Sequence, residues 1–81
     1  MTDRESILDE IRQVLCATFN LSQEDVTEEK DLFNDLDMDS LDAVDMASEL
    51  SEKTGAKFSN DDLRQIRTVA DVADAIIRKQ S

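Results

Sequence analysis

Apolar residues fall at helical intervals over most of this chain. Ile7, Leu8, Ile11, Val14, Leu15 and then Thr18 or Phe19 follow one another along a single face, the spacing of an amphipathic helix. Thr2 precedes Glu5 by three residues, which is capping-box register. A first helix is predicted over roughly residues 3–19. Beyond Asn20 the periodicity weakens, and Leu21, Val26, Leu32, Phe33 and Leu36 stand as scattered apolar anchors among acids. This stretch, to Asp39, reads as a long ordered loop with one short helical turn near residues 30–34. A loop of that length in a small domain is uncommon and tends to be functional.

Periodicity returns at Asp39, a good N-cap with Asp42 at the third helical position behind it. Leu41, Val44, Ala47, Ser48 and Ser51 form one stripe with Met46 and Leu50 beside it, predicting a second helix over about residues 40–53. Gly55, the only glycine, follows directly, where a left-handed residue ends a helix at least cost. Ser59 with Asp62, and Thr68 with Asp71, again have cap spacing. The first pair opens a third helix of one or two turns through Leu63 and Ile66. The second opens a last helix through Val69, Val72, Ala73, Ile76 and Ile77 to about Lys79. The expected fold is all-α, a small four-helix bundle with a long first loop and a short third helix, forming a single domain over residues 1–81.

Composition narrows what such a bundle can do. A domain of 81 residues buries only about 60–65% of the surface its unfolded chain exposes. With no Trp or Tyr and three Phe, its core is lean and aliphatic, better suited to presenting a site than to enclosing one. Nine basic residues against 20 acidic ones leave a net charge of -11. That field repels nucleic-acid phosphates and anionic lipid headgroups. It favours basic protein surfaces, over a screening length of about 8–10 Å. Cys16 is the only cysteine, so no intramolecular disulfide forms; in its apolar setting it is expected to be a small buried hydrophobe. Charges interrupt the first ten residues where a signal peptide needs an apolar run, and no stretch reaches the ~18 apolar residues of a membrane span. The expected location is the cytoplasm. The chain also lacks His, the commonest general base and metal ligand.

The segment richest in chemistry is Asp35-Leu36-Asp37-Met38-Asp39-Ser40-Leu41-Asp42. It sets one hydroxyl at the predicted start of a helix, at the end of the long loop, between carboxylates. Because Asp39 fits the cap, Ser40 falls in the first turn and is free to project outward. From Glu28 to Glu52, ten acids stand against Lys30 alone, so the charge is concentrated around Ser40. Asp42, Asp45, Glu49 and Glu52 recur every three or four residues and form a continuous acidic stripe, at a cost of a few tenths of a kcal/mol (~0.2–0.5) per like-charge pair. Such a stripe is either a solvated face or one retained for recognition.

Other chemistries fit less well. Asp35, Asp37 and Asp39 have the spacing of the first three ligands of a calcium loop, yet Ser40 stands where that loop needs Gly and Met46 where it needs Glu; no metal site is expected. A hydrolase using Ser40 as nucleophile lacks a His, and the nearest Lys, Lys30, belongs to a different predicted element. Paired-carboxylate catalysis needs a cleft that keeps one acid protonated, whereas these acids read as exposed. An acidic interaction module that is never modified would keep the helices without needing Ser40. Position and chemistry alone leave a modified Ser40 and a structural one both open.

Over essentially its whole length the sequence resembles the acyl carrier protein family. The resemblance is carried by the apolar first helix, Val26-Thr27, Leu32 and Leu36, Asp39-Ser40-Leu41-Asp42, Val44, and Ile66 with Thr68-Val69. It implies that Ser40 is the attachment site of 4'-phosphopantetheine, placed there from coenzyme A by a phosphopantetheinyl transferase. The thiol of that arm, not Cys16, then holds acyl groups as thioesters, and the chain itself catalyses nothing. It implies a docking face of Asp39, Leu41, Asp42, Asp45, Met46, Glu49 and Glu52, read by basic patches on ketoacyl synthase, reductase, dehydratase and acyltransferase type enzymes. It further implies an acyl pocket built from Leu32, Val44, Met46, Ala47, Leu50, Phe58, Leu63 and Ile66. The carrier is expected to be a monomer serving fatty acid synthesis or a related polyketide or aryl polyene-like pathway. A D-alanyl or aminoacyl carrier is the alternative, and matches the Asp39 to Asp42 segment less well.

Several positions depart from the family pattern. Asp37 stands where carriers of fatty acid synthesis usually have Gly, and must accept the turn geometry, which Asp tolerates better than most residues. Ser48 and Thr54 replace larger apolar residues that commonly help line the acyl pocket, and Phe58-Ser59 replaces an aliphatic residue and a proline. These polar positions point to a cargo that is short, polar or poorly sequestered. Ser51, Lys53, Arg64 and Arg67 break the acidity many members keep toward the third helix, so a different docking preference is expected.

Overall fold

The core is a sandwich of two long helices across a third. In the computed structural model, which describes residues 4–80, α1 is Arg4–Phe19, α2 is Ser40–Thr54, α3 is Asn60–Gln65 and α4 is Val69–Gln80. The proposed cap at Thr2 lies outside the described residues. α1 buries Ile7, Leu8, Ile11, Val14 and Leu15, the stripe its periodicity predicts. It packs against α4 and α2, where Val72, Ile76, Met46 and Leu50 meet it in one core. Each such side chain contributes about 1.5–3 kcal/mol on burial. On α2 the buried face is Ala43, Met46, Ala47 and Leu50, and the expected stripe is turned outward at Leu41, Val44 and Ser48, because the i, i+3, i+4, i+7 set of apolar residues on that helix starts at Ala43. Among the described residues there is no strand, only an isolated bridge between Asp31 and Thr68. The thiol of Cys16, expected to be buried, is half-buried, because it lies at the edge of the α1 stripe and packs on the core from its margin.

The long loop is held to the bundle by its own apolar anchors and by backbone pairing. Val26, Leu32, Leu36 and Met38 are all buried. The Leu32 N–H donates to the Arg67 carbonyl at 2.7 Å, while Val69 and Ala70 N–H groups donate to the carbonyls of Lys30 (3.2 Å) and Glu28 (3.1 Å). The loop therefore lies along the α3–α4 junction. α1 grips it from the other side: Arg4 pairs with Glu28 at 2.7 Å and with Asp74, and Arg12 Nε donates to the Val26 carbonyl at 3.0 Å. The short turn expected near residues 30–34 is present as a hydrogen-bonded turn in which Asp35 and Leu36 N–H groups donate to the Asp31 carbonyl at 2.9 and 3.1 Å. A 3-10 turn at Gln23–Asp25 was not legible in the periodicity, since three residues are too few to show one.

α2 ends at Gly55, whose φ of 79° is left-handed and whose N–H donates to the Ser51 carbonyl at 2.8 Å. A Cβ built there meets no atom within 4 Å, so backbone conformation alone favours glycine at this position.

Candidate functional site

Asp37 has φ 56°, the left-handed geometry its place ahead of the helix demanded. Leu36 and Met38 on either side of it are both buried, and Met38 N–H donates to the Leu32 carbonyl at 3.0 Å. The chain turns at Asp37 so that two neighbours enter the core while the carboxylate stays in solvent. Asp39 then caps α2: its Oδ1 accepts from Asp42 N–H at 2.9 Å, and Asp42 Oδ2 accepts from Asp39 N–H at 3.2 Å. With capping supplied by this pair, Ser40 occupies the first turn, is exposed, and among the described residues has no hydrogen bond to its hydroxyl.

Ser40 opens onto a cleft of about 530 Å³ between α2, α3 and the loop. Val44, Leu63 and Ile66, three of the expected pocket residues, line it together with Ala43 and Phe33. The other five do not. Leu32, Met46 and Leu50 are fully buried in the core and Ala47 is nearly so, while Phe58 is half-buried with the Lys79 ammonium 5.9 Å from its ring centre. Ser48 and Thr54 do not face the cleft either: Ser48 is exposed, and Thr54 donates to the Leu50 carbonyl at 2.7 Å and accepts from Ala56 N–H at 3.2 Å. The polar lining comes instead from Asp31, Asn34, Asn60, Arg64 and Arg67. These were missed as cleft residues because the loop and the α3–α4 junction meet only in three dimensions; the charge reversal at Arg64 and Arg67 was the one signal available.

Two walls of the cleft are pinned electrostatically. Asp31 Oδ1 accepts from Phe33 N–H (2.8 Å) and Asn34 N–H (2.9 Å). These bonds, the one from Asn34 foremost, hold its carboxyl below the usual range. On α3, Asp62 exchanges capping bonds with Ser59 and pairs with Lys79 of α4 at 2.7 Å. The Lys79 ammonium first, and then the Ser59 N–H, bring the Asp62 carboxyl down to about 2.

Along the outside of α2, Leu41 is 75% and Val44 50% exposed, among exposed Asp39, Asp45 and Glu52 and half-exposed Asp42 and Glu49. Glu49 also accepts a hydrogen bond from the Thr18 hydroxyl of α1. Met46 corrects the expected docking face: it is 0% exposed, because it shares the inward stripe of Ala43, Ala47 and Leu50 and no partner surface can reach it. Among the described residues, no helix is long and apolar enough to cross a membrane.

A family model described as the phosphopantetheine attachment site matches residues 9–76. The chain is 45% identical to an acyl carrier protein of Coprothermobacter proteolyticus over 91% of its length and 90% of the relative's. It is 42% identical to acyl carrier protein 2 of Ralstonia nicotianae, over 94% and 93%. Among solved structures, the acyl carrier protein of Enterococcus faecalis superposes with a TM-score of 0.79 at 26% identity, covering 96% of this chain and 99% of that one. That of Thermotoga maritima shares the fold, with a TM-score of 0.83 at 23% identity, covering 95% and 89%. A helical bundle with a free hydroxyl at the head of an acid-lined helix, matched this way over nearly all its length, belongs to the acyl carrier protein family, whose members are non-catalytic carriers with 4'-phosphopantetheine as their prosthetic group.

Proposed function

We propose that Ser40 bears the phosphopantetheine arm, and that the chain is a monomeric, single-domain cytoplasmic carrier. It holds acyl intermediates as thioesters for enzymes of fatty acid or related biosynthesis. The observation that carries this reading is the Ser40 hydroxyl, exposed and without a hydrogen-bond partner among the described residues because Asp39 and Asp42 cap the helix between them. In the loading step Ser40 Oγ attacks the β-phosphate of coenzyme A, its proton passes to a base of the transferase, and 3',5'-ADP leaves. The transferase supplies metal and base. Once attached, the arm supplies a thiol on which acyl groups are carried. Tethering raises the effective concentration of the acyl group at a docked partner's active site.

Docking falls to the outward side of α2. Leu41 and Val44 supply an apolar centre, ringed by Asp39, Asp42, Asp45, Glu49 and Glu52. This arrangement suits basic patches on the transferase and on ketoacyl synthase, reductase, dehydratase and acyltransferase type enzymes. The test is intact mass after incubation with coenzyme A, magnesium and a broad-specificity transferase. A gain of one phosphopantetheine, absent in Ser40→Ala, is the expected result; an unmodified mass for the folded native chain would overturn it.

A further inference from the structure

In a protein of net charge -11, the cleft beside Ser40 is locally cationic. Two arginines, Arg64 and Arg67, both exposed, line it against a single acidic residue, Asp31. Among the described residues neither arginine has a carboxylate within salt-bridge distance, a state they share with Arg78 and three of the lysines, while Arg4, Arg12 and Lys79 are each paired. What sets Arg64 and Arg67 apart is that they line one cleft together. Asp31 feels the charge of Arg67 but, with its Oδ1 engaged by the Phe33 and Asn34 N–H groups, is a single negative charge against two positive ones. Both arginines also stand on fixed supports. Arg67 accepts from Leu32 N–H at 2.7 Å through its carbonyl and donates its own N–H to Asp71 at 3.1 Å. Arg64 stands in the last turn of α3, which the Asp62–Lys79 pair ties to α4.

We infer that Arg64 and Arg67 form an anion subsite that takes a negatively charged group borne on Ser40. The inference rests on the reading of Ser40 as the attachment site. Guanidinium forks match the oxygens of phosphates and carboxylates, and two groups on Ser40 can present such oxygens. One is the phosphodiester next to Oγ; the other is a carboxylate at the far end of a dicarboxylic acyl cargo folded back into the cleft. Occupancy draws the arm against α3 and away from solvent. The subsite therefore selects for charged cargo, or holds the arm in between dockings.

The experiment loads the full chain from coenzyme A, butyryl-coenzyme A and succinyl-coenzyme A, the last two nearly isosteric and differing in a carboxylate. Mass confirms each loading, and NMR then follows exchange of the Arg64 and Arg67 Nε–H protons. Protection of about 1.4- to 5-fold over the unloaded chain is expected, the range of an exposed ion pair, falling as salt is raised. Equal protection in all three forms assigns the phosphodiester as the anion; protection confined to the succinyl form assigns the carboxylate. Arg64→Gln and Arg67→Gln each remove protection at the remaining arginine by weakening the shared site. Full loading by mass with unchanged exchange at both arginines in every form overturns the subsite and leaves the Ser40 reading standing. No mass gain removes the Ser40 reading, and the subsite with it.

Discussion

Asp39 and Asp42 hold each other's backbone N–H groups at the head of α2, at 2.9 and 3.2 Å. Two like-charged side chains thereby satisfy the start of one helix, and the Ser40 hydroxyl between them is left out of the exchange. Had Ser40 been the cap, its oxygen would have been committed to the backbone and a modifying enzyme would have had to break α2 to reach it. The pair thus separates the work of starting the helix from the work of presenting a hydroxyl.

Ser40→Ala is expected to keep the fold, with a change within about 0.5 kcal/mol, while losing all loading with phosphopantetheine. Circular dichroism melting and intact mass check the two halves. An unfolded variant would make Ser40 structural.

Asp39→Ala removes the cap and is expected to destabilise the chain by about 1 kcal/mol, lowering the melting midpoint by roughly 4–8 °C. Asp39→Asn retains a good capping oxygen and should leave the midpoint close to that of the native chain. Equal losses in both variants would move the effect from capping to charge.

Backbone conformation makes two opposite forecasts from one physical cause. Gly55→Ala places a Cβ at φ 79° with no neighbour to strike, so its expected destabilisation of about 1 kcal/mol is conformational. Asp37→Gly relieves the same left-handed penalty at φ 56° and is expected to stabilise by up to about 1 kcal/mol, after the added freedom of the unfolded chain is subtracted. Urea unfolding of both variants measures the pair, and a destabilising Asp37→Gly would contradict the account.

Asp45→Lys reverses a charge on the exposed side of α2 without disturbing a hydrogen bond seen at Glu49. Association with a basic partner such as the transferase is expected to slow, by a factor that shrinks as salt rises. Stopped-flow binding at several ionic strengths reads this, and a loss insensitive to salt would indicate packing damage.

The Asp62–Lys79 pair makes the anchoring of α3 depend on acid. Asp62 has a folded pKa of about 2 against an ordinary 3.8, so its contribution to stability is complete above the ordinary value and is lost as pH falls toward about 2. Lys79→Gln should raise the Asp62 pKa in a carboxyl-carbon NMR titration, because the ammonium is the largest cause of the depression. An unmoved Asp62 would leave the Ser59 capping bonds as the whole explanation.

What the sequence by itself determined is the part of this protein that interactions within three or four residues encode. Apolar stripes placed α1 to α4 to within a residue or two. Cap spacing at Asp39 and Ser59 located two helix starts, and Gly55 one end. The capped start of α2 with Ser40 exposed in its first turn was legible for the same reason, since cap, hydroxyl and acidic stripe lie along one stretch of chain.

Only the tertiary structure decided what the cleft is made of. Its polar lining depends on Leu32 N–H meeting the Arg67 carbonyl and Val69 N–H meeting that of Lys30, encounters between residues more than 30 positions apart. No local period encodes such pairing, because it depends on how the whole core closes. The same closure set Arg64 and Arg67 beside Ser40.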